Sequence, residues 1–199
     1  MLHVVDALLP DTLLTGLRDL CDAHADLKQQ HDGDALFSWR PERGDGRSLH
    51  SPGHQLLMER YLVDHLLPAA RPFTSGLGGV EWWCNTNNDL DWHIDKDEAE
   101  GRRSGTYRLP LLSTVFYPHV SCAGGELLVA DNAPVQPGYR GPLPTFNSVI
   151  SIPPVRNRLV LFSPGVLHRI NPLQGERYSV AVNLWASEPL TTPASAPPT

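Results

Sequence analysis

After Pro72 the sequence consists of short apolar segments separated by Gly, Pro and Asn, and this pattern restricts the chain to a mainly β fold. Short segments rich in β-branched and aromatic residues, bounded by turn formers, are typical of strands. About eight such strands in succession predict a sheet that closes on itself, either a β-sandwich or a jelly roll. The expected strands are 80–85, a segment around His93, 111–117, 126–130, 148–152, 158–162, 166–170 and 178–185.

Earlier in the chain the apolar residues recur at helical spacing, which predicts two helices. The first runs from Asp11 to about Ala25. The second begins at Ser51-Pro52, an N-cap serine followed by a proline at the first helical position. Short strands are expected within residues 2–9 and 36–39, so the fold class is α+β, mainly β. The apolar helix positions are Leu13, Leu14, Leu17, Leu20 and Cys21, then Leu56, Leu57, Tyr61, Leu62, Leu66 and Leu67.

The length of the chain suits one well-buried core. It has 199 residues, and its 19 Pro and 16 Gly are scattered between apolar segments as turn residues. We therefore expect a single domain over residues 1–187. Residues 188–199 are rich in Pro, Thr and Ala and are expected to form a disordered tail.

Charge and targeting features exclude several classes of function. The formal net charge is −6, and no block of Lys or Arg follows the pattern of a phosphate-binding surface, so nucleic acid is not an expected partner. Neither a signal-peptide pattern nor an apolar run long enough to span a bilayer is present, which predicts a cytoplasmic protein without a membrane partner. The cysteines Cys21, Cys84 and Cys122 lack C-x-x-C spacing and are expected to be free buried thiols. The sequence does not indicate an oligomeric state.

The segment Trp92-His93-Ile94-Asp95 places a His and a carboxylate two residues apart. In an extended strand these two side chains project from the same face and can reach one metal ion. His168, on a later apolar segment, is a candidate third ligand. Two His and one carboxylate on one side of an ion leave other positions open, an arrangement associated with non-haem Fe(II) oxygenases.

A second H-x-D pattern, His24-Ala25-Asp26, lies in the first predicted helix. In a helix, residues i and i+2 point roughly 200° apart, so this pair cannot chelate one ion. We expect it to be an exposed helix end with no role in metal binding.

Arg177 and Ser179 share one face of the last predicted strand. An Arg fork binds a carboxylate through two parallel charge-assisted hydrogen bonds, and a hydroxyl on the same face can supply a third. Because an inward Arg in an apolar strand is costly without a neutralising anion, a bound carboxylate is the favoured explanation. The alternative is an internal salt bridge to Asp or Glu. If Arg177 points inward, Ala181, Asn183 and Trp185 do so as well.

Taken together, these motifs resemble those of the Fe(II)/2-oxoglutarate-dependent dioxygenase superfamily, specifically its small prolyl-4-hydroxylase-like branch. The resemblance covers most of the chain and leaves out only Ala186 onward. The motifs that carry it are His93-x-Asp95, Gly124-Gly125-Glu126-Leu127, Asn157 to Phe162, His168 and Arg177-Tyr178-Ser179.

The resemblance implies a double-stranded β-helix, which is a jelly roll with the N-terminal helices packed on one outer face. It implies that His93, Asp95 and His168 bind Fe(II), that Arg177 pairs with the distal carboxylate of 2-oxoglutarate, and that Ser179 contacts the same carboxylate. The usual reaction of the family consumes O₂ and 2-oxoglutarate, releases succinate and CO₂, and hydroxylates an unactivated C–H bond of the substrate.

Further residues are candidates for the cofactor or substrate pocket. The branch often has a Tyr about ten residues before the first metal ligand, where this chain has Trp82-Trp83. The resemblance therefore does not identify the residues that bind the 2-oxo acid end. The candidates are Asn85, Thr114, Tyr117, Asn183 and Trp185.

The expected substrate is a small molecule, either a free amino acid or a peptide-like metabolite. The loops 97–105 and 132–146 are candidate lids. Charged residues of the first loop are candidates for substrate contacts, namely Asp97, Glu98, Arg102 and Arg103. The alternatives are hydroxylation of a protein side chain, a metal-dependent jelly-roll enzyme that does not use 2-oxoglutarate, and a non-catalytic binding module.

Overall fold

A computed structural model describes residues 1–30, 36–86, 90–130 and 143–190 of the chain. Over these ranges the chain forms two antiparallel β-sheets, and the mainly β prediction is confirmed. In chain order the strands are β1 Leu2–Asp6, β2 Ser38–Pro41, β3 Gly79–Thr86, β4 Leu90–His93, β5 Leu112–Gly124, β6 Leu127–Ala130, β7 Val149–Ile152, β8 Arg158–Phe162, β9 His168–Ile170 and β10 Leu173–Trp185.

The larger sheet has six strands in the order β1-β8-β5-β10-β3-β2, and the smaller sheet has four in the order β4-β9-β6-β7. Strands that are neighbours in space are mostly distant in sequence, as expected for a jelly roll. The two longest strands, β5 and β10, lie side by side at the centre of the larger sheet. β5 continues beyond its predicted end, and β10 begins before its predicted start. The two strands pair antiparallel from Leu173↔Gly124 to Leu184↔Leu112.

The described helices all lie before Gly105. The second helix continues through a π-helical turn, α3 and a 3₁₀ turn, which together carry the chain to the larger sheet. The elements are α1 Asp11–Gln30, α2 Pro52–Tyr61, the π-helical turn Leu62–Leu66, α3 Leu67–Ala70, the 3₁₀ turn Arg71–Phe73 and α4 Glu98–Ser104. Among the described helices, none has the length and apolar character needed to span a bilayer.

The larger sheet separates two hydrophobic cores because strand side chains alternate between its faces. On one face α1 and α2 pack against the sheet, and on the other the smaller sheet does. The helix-side core includes Leu13, Leu14, Leu17, Met58, Tyr61, Phe116, Val180, Val182 and Leu184. The core between the sheets includes Tyr117, Leu127, Val129, Ile152, Val160, Phe162 and Ile170.

Several helical predictions were wrong in detail. The first helix extends to Gln30, beyond the predicted end at Ala25. His24, expected at an exposed helix end, is only 1% exposed because it packs against His50. Leu56 was assigned to the apolar side of α2 but is 64% exposed. The side of this helix that packs in the core instead carries Met58 and Tyr61.

The predicted loop 97–105 contains α4. Asp97 caps this helix by accepting the backbone N–H of Glu100, and Gly105 ends it in a left-handed conformation with φ of 75°. Acidic residues in the first turn and arginines in the last turn also favour the helix dipole. Most of the other predicted lid, 132–146, lies outside the described residues.

Candidate metal centre

His93 and His168 face each other across the antiparallel pair β4 and β9. Their ring centroids are 4.2 Å apart. Each ring places Nδ1 on the carbonyl oxygen two residues earlier, His93 at 2.7 Å from Asp91 O and His168 at 3.0 Å from Val166 O. A carbonyl only accepts, so both Nδ1 atoms carry the proton and both Nε2 atoms keep a lone pair for a metal ion.

Asp95 completes the cluster. Its Oδ1 lies 3.9 Å from His168 Nε2, and the ligand atoms of His93, Asp95 and His168 all lie within 4.8 Å of one another. Strand β4 ends at His93, so Asp95 reaches the cluster from the segment that follows and not from the strand face on which the prediction relied. The donor set of two imidazoles and one carboxylate fits Fe(II).

His168 is the most buried member of the cluster, at 5% exposed. Burial lowers its pKa below the ordinary histidine value, an effect that the nearby His93 reinforces and Asp95 opposes. The neutral imidazole is the form that binds a metal ion, so burial favours the binding state. The ring of Phe162 lies 4.8 Å from the His168 ring and shields this side of the cluster.

Arg177 is buried between the sheets, at 1% exposed. Its Nη1 donates to the carbonyl of Gly125 at 3.1 Å, and its guanidinium carbon lies 5.9 Å from the centre of the Tyr117 ring. Gly125 has a φ of 76°, and a Cβ atom there would lie 3.2 Å from Arg177 Cδ, so glycine leaves room for the arginine. Burial lowers the pKa of Arg177 from its usual value.

The hydroxyl of Tyr117 is fully buried and has no hydrogen-bond partner among the described residues. Burial raises its pKa to about 12, so the phenol keeps its proton. A buried O–H donor beside a guanidinium fits a carboxylate ligand, because a carboxylate can accept hydrogen bonds from both groups.

Ser179 lies on the same face of β10 as Arg177 and is 3% exposed. It pairs with Asn85 of β3, and the register between β5 and β10 shifts at this position, between Tyr178 and Val180. The structure thus places Arg177, Ser179 and Tyr117 on the side of the sheet that faces the metal cluster.

The remaining pocket candidates divide between the two faces. Asn183 and Trp185 follow Arg177 and Ser179 on the inner face and are nearly fully buried. Trp185 Nε1 has no hydrogen-bond partner among the described residues. Thr114 instead alternates with the helix-side residues of β5, and its hydroxyl donates to the carbonyl of Val182 at 3.0 Å. The structure therefore does not bring Thr114 to the inner face.

Two inner-face residues were missed from the sequence. Ser113 pairs directly with Asn183, is 1% exposed and has a hydroxyl without a partner among the described residues. Because Ser113 and Tyr117 are four residues apart in one strand, they lie on the same face, and this spacing could have indicated Ser113 from the sequence. Gly125 belongs to a recognised motif, but its contact with Arg177 depends on the fold and had no local signal.

Asp97, a predicted substrate contact, has a structural role instead. It is 0% exposed, and its carboxylate accepts from Glu100 N at 2.9 Å, Arg108 Nη2 at 2.6 Å and Leu190 N at 2.8 Å. With its lone pairs used in this way and no exposed surface, the carboxylate is not available to a substrate.

Arg108 extends this cluster to the chain beyond β10. It donates to Ser187 Oγ at 2.8 Å and to the carbonyl of Glu188 at 2.9 Å, and Glu188 also pairs with Arg47. Residues 188–190 therefore pack against the segment after the metal cluster, although the sequence placed them in a disordered tail. The rest of that tail lies outside the described residues.

The other charged candidates lie on or beside α4. Glu98 pairs with Lys96 at 2.8 Å, Arg103 pairs with Glu100 at 2.9 Å, and Arg102 is exposed. Their contact with a substrate stays a prediction.

Comparison with known proteins identifies the family. Residues 81–185, more than half of the chain, match the 2OG-Fe(II) oxygenase superfamily. The chain therefore belongs to this superfamily, and it is an Fe(II)- and 2-oxoglutarate-dependent dioxygenase that uses O₂. A search among curated proteins found no match.

Solved structures with a similar fold include three oxygenases. A prolyl-4-hydroxylase from Pseudomonas putida is 20% identical, with 92% of this chain and 91% of that chain covered and a TM-score of 0.60. HygX from Streptomyces hygroscopicus, solved with nickel and 2-oxoglutarate bound, is 13% identical, with 97% and 84% covered and a TM-score of 0.54. A prolyl hydroxylase from Trichoplax adhaerens, solved with a peptide of hypoxia inducible factor, is 14% identical, with 93% and 83% covered and a TM-score of 0.53. These similarities confirm the jelly-roll fold.

Proposed function

We propose that this dioxygenase hydroxylates an unactivated C–H bond of a small substrate, a free amino acid or a peptide-like metabolite. The observation that carries the proposal is that His93, Asp95 and His168 bring their ligand atoms within 4.8 Å of one another. The buried guanidinium of Arg177 belongs to the same interior.

In this proposal, His93, Asp95 and His168 hold the iron. The bound iron supplies the redox chemistry that couples the oxidation of 2-oxoglutarate to the hydroxylation of the substrate. The protein fixes both imidazoles through their Nδ1 hydrogen bonds, so the lone pairs need no reorganisation to bind the ion. The anionic Asp95 also offsets part of the charge of the ion.

Arg177, Ser179 and Tyr117 would bind the distal carboxylate of 2-oxoglutarate. Arg177 offers the charge, and the two hydroxyls offer neutral donors on the same face. Gly125 holds Arg177 through its carbonyl, so the guanidinium is oriented before the ligand arrives. Asn183 and Trp185, further along β10, would line the part of the pocket that orients the substrate and excludes water.

The small substrate is supported by the charged side chains of α4, the helix that begins three residues after Asp95. Glu98, Arg102 and Arg103 give this helix both signs of charge, which suits a zwitterionic amino acid. A second candidate is a protein side chain, which is favoured by the likeness to the Trichoplax adhaerens enzyme solved with a peptide.

The test is a turnover assay with Fe(II), 2-oxoglutarate, ascorbate and O₂, with succinate as the readout. Succinate release should be slow without substrate and should rise when the correct amino acid or short peptide is added, together with a product heavier by one oxygen atom. Asp95→Ala is the matched inactive control. Basal turnover without stimulation by any small molecule would favour the protein substrate, and absence of all turnover in the wild type would contradict the proposal.

A further inference from the structure

A second cavity lies on the helix side of the larger sheet, between the C-terminal half of α1 and the end of β3. Its volume is about 230 Å³. Cys21 Sγ, in its wall, lies 4.0 Å from the carbonyl oxygen of Ser179, so the sheet separates this cavity from the inner face that carries Ser179. We refer to it as the α1–β3 cavity, and it is lined by Cys21, His24, Ala25, Lys28, Gln29, Cys84, Asn85 and Thr86.

A buried chain of hydrogen bonds ends at this cavity. Ser38 Oγ lies 2.9 Å from Ser48 Oγ, which lies 3.0 Å from His50 Nδ1. His50 Nε2 lies 3.1 Å from His24 Nδ1. His24 is 1% exposed, and its remaining ring nitrogen, Nε2, has no hydrogen-bond partner among the described residues. The chain thus ends in a polar atom without a partner, on a residue that lines the cavity.

The number of available protons indicates the direction in which the hydrogen bonds of this chain run. If each group donates towards the cavity, the hydroxyl protons of Ser38 and Ser48 and the Nε2 proton of His50 all have acceptors, and His24 presents an Nε2–H donor. In the reverse direction Ser48 donates to Ser38, and the buried Ser38 proton then has no acceptor among the described contacts. His24 Nε2 still has no partner there. The first arrangement leaves fewer unsatisfied groups and is therefore preferred.

Both imidazoles are neutral under ordinary conditions. Burial lowers the pKa of His24 to about 3 and that of His50 to about 4, and the charge of Lys28 also disfavours the protonated form of His24. Each ring therefore carries a single proton, as the directional chain requires. The donor at the cavity is a neutral N–H, and the positive charge comes from lysine.

The lining of the cavity is matched to an acceptor with negative charge. Among the described residues that line it, Lys28 is the only ionised side chain and none is a carboxylate, while Gln29 and Thr86 add an amide and a hydroxyl. The volume is that of roughly seven water molecules, enough for an anion of a few heavy atoms. An anion here would satisfy the His24 donor and neutralise the Lys28 charge together.

We infer that the α1–β3 cavity is a binding site for a small oxyanion, a carboxylate or a phosphate, held by His24 Nε2–H and the Lys28 ammonium. The site is separate from the metal centre and does not depend on the dioxygenase reaction. Its ligand binds behind the strand that carries Ser179.

The experiment is an NMR titration of the ¹⁵N-labelled full chain that follows the imidazole Nε2–H signal of His24. Sodium acetate and sodium phosphate are added in separate titrations, with sodium chloride at matched ionic strength as the reference. A saturable shift with acetate alone identifies a carboxylate site, and one with phosphate alone identifies a phosphate site. Either result supports the inference, whereas the same shift with chloride would overturn it.

Two variants of His24 separate its two nitrogens. Asn at position 24 can keep the acceptor for His50 but lacks a donor at the place of Nε2, while Gln can return an N–H near that place. His24→Asn should weaken anion binding by about tenfold or more, and His24→Gln should recover part of the loss. For these variants the backbone amide signals of Cys84 and Thr86 report binding. Equal anion affinity in wild type and His24→Asn would overturn the inference.

Lys28→Met tests the charge without entering the buried hydrogen-bond chain. It should weaken anion binding by about tenfold, while Arg60→Met, which removes the same charge from an exposed position of α2, should not. If His24→Asn fails to fold, the lysine variant decides alone. Equal losses in both charge variants, or no saturable shift in the wild type with either oxyanion, would refute the site.

Discussion

Two pairs of histidines in this molecule are connected in opposite ways. His93 and His168 each donate Nδ1–H to a backbone carbonyl, so both Nε2 lone pairs are available beside Asp95. His24 and His50 bond to each other, and a serine occupies the outer nitrogen of His50. The pairs have similar ring spacing, 4.2 and 5.1 Å, so proximity does not separate their roles. What separates them is the partner of each ring nitrogen.

The charged group beside each pair of histidines also differs. A carboxylate, Asp95, stands next to the first pair, and an ammonium, Lys28, stands near the second. The first pair therefore offers lone pairs and negative charge to a cation. The second offers an N–H and positive charge, which suits an anion.

The largest expected effect concerns the carboxylate of the first pair. Asp95→Ala should weaken Fe(II) binding at least about a hundredfold, because removing one partner of a buried charge interaction costs about 3–5 kcal/mol. Anaerobic calorimetric titration with Fe(II) measures the change. Asp26→Ala removes the carboxylate of the helical H-x-D pattern and should leave the affinity unchanged. A similar loss of Fe(II) affinity in both variants would show that Asp95 has no special role in metal binding.

The second pair should make stability depend on pH. His24 and His50 are neutral in the fold, with pKa values of about 3 and about 4, whereas unfolded histidine titrates near 6.5. Below pH of about 6.5 the unfolded state binds more protons, so stability is complete above this pH and falls as the pH drops towards 4. By pH 4 the expected loss of unfolding free energy is on the order of 3 kcal/mol for each histidine.

Urea denaturation of the metal-free protein across this pH range measures the effect. The double variant His24→Phe and His50→Leu should show a flatter profile, and His65→Gln, on the π-helical turn, should keep the wild-type slope. Lys28 and His54 also lie near the pair and disfavour its protonation. An unchanged slope in the double variant would assign the pH dependence to other groups.

A third prediction compares arginines on the two faces of the sheet. Arg177→Met should raise the dissociation constant of 2-oxoglutarate by about a hundredfold, because loss of a buried charge-assisted pair costs roughly 2–3 kcal/mol. Arg18 lies on the helix side, 6.0 Å from the Tyr178 ring, and Arg18→Met should have no effect. The binding is measured anaerobically by calorimetry in the presence of Fe(II). Wild-type affinity in Arg177→Met would remove the cofactor assignment and leave the metal cluster intact.

The smallest effect is expected at Ser179, which offers a neutral hydroxyl. Ser179→Ala should weaken 2-oxoglutarate binding by about 1 kcal/mol, or roughly fivefold. Ser121→Ala, at an exposed position of the neighbouring strand, is the control. A loss as large as that of Arg177→Met would show that the hydroxyl has more than a supporting role.

The sequence predicted the mainly β fold well because strand side chains alternate between two buried faces. Arg177, Ser179 and Asn183 were assigned to one face of β10 by this rule, and the structure places them there. The structure also brings the three predicted metal ligands together, although the register between β4 and β9 is irregular between Leu90 and His93.

The failures concern residues whose environment is set by distant parts of the chain. His24 was expected to be exposed because its helix pattern alone does not show that His50 will pack on it. Asp97 was assigned to a substrate because its partners, Arg108 and Leu190, are far away in sequence. Thr114 has the same local pattern as Ser113, and the register with β10 shows that Ser113 is the one that faces inward.

The cluster around Asp97 determines where the chain can be shortened. The family match ends at residue 185, with the last strand, so a fragment cut there would retain every described strand of both sheets. It would lose Ser187 and Glu188, which accept hydrogen bonds from Arg108, and the backbone N–H of Leu190, which donates to Asp97. Asp97 lies only two residues after Asp95. A boundary drawn from family similarity would therefore give a fragment that keeps the described strands of both sheets but holds Asp95, the proposed iron ligand, less firmly.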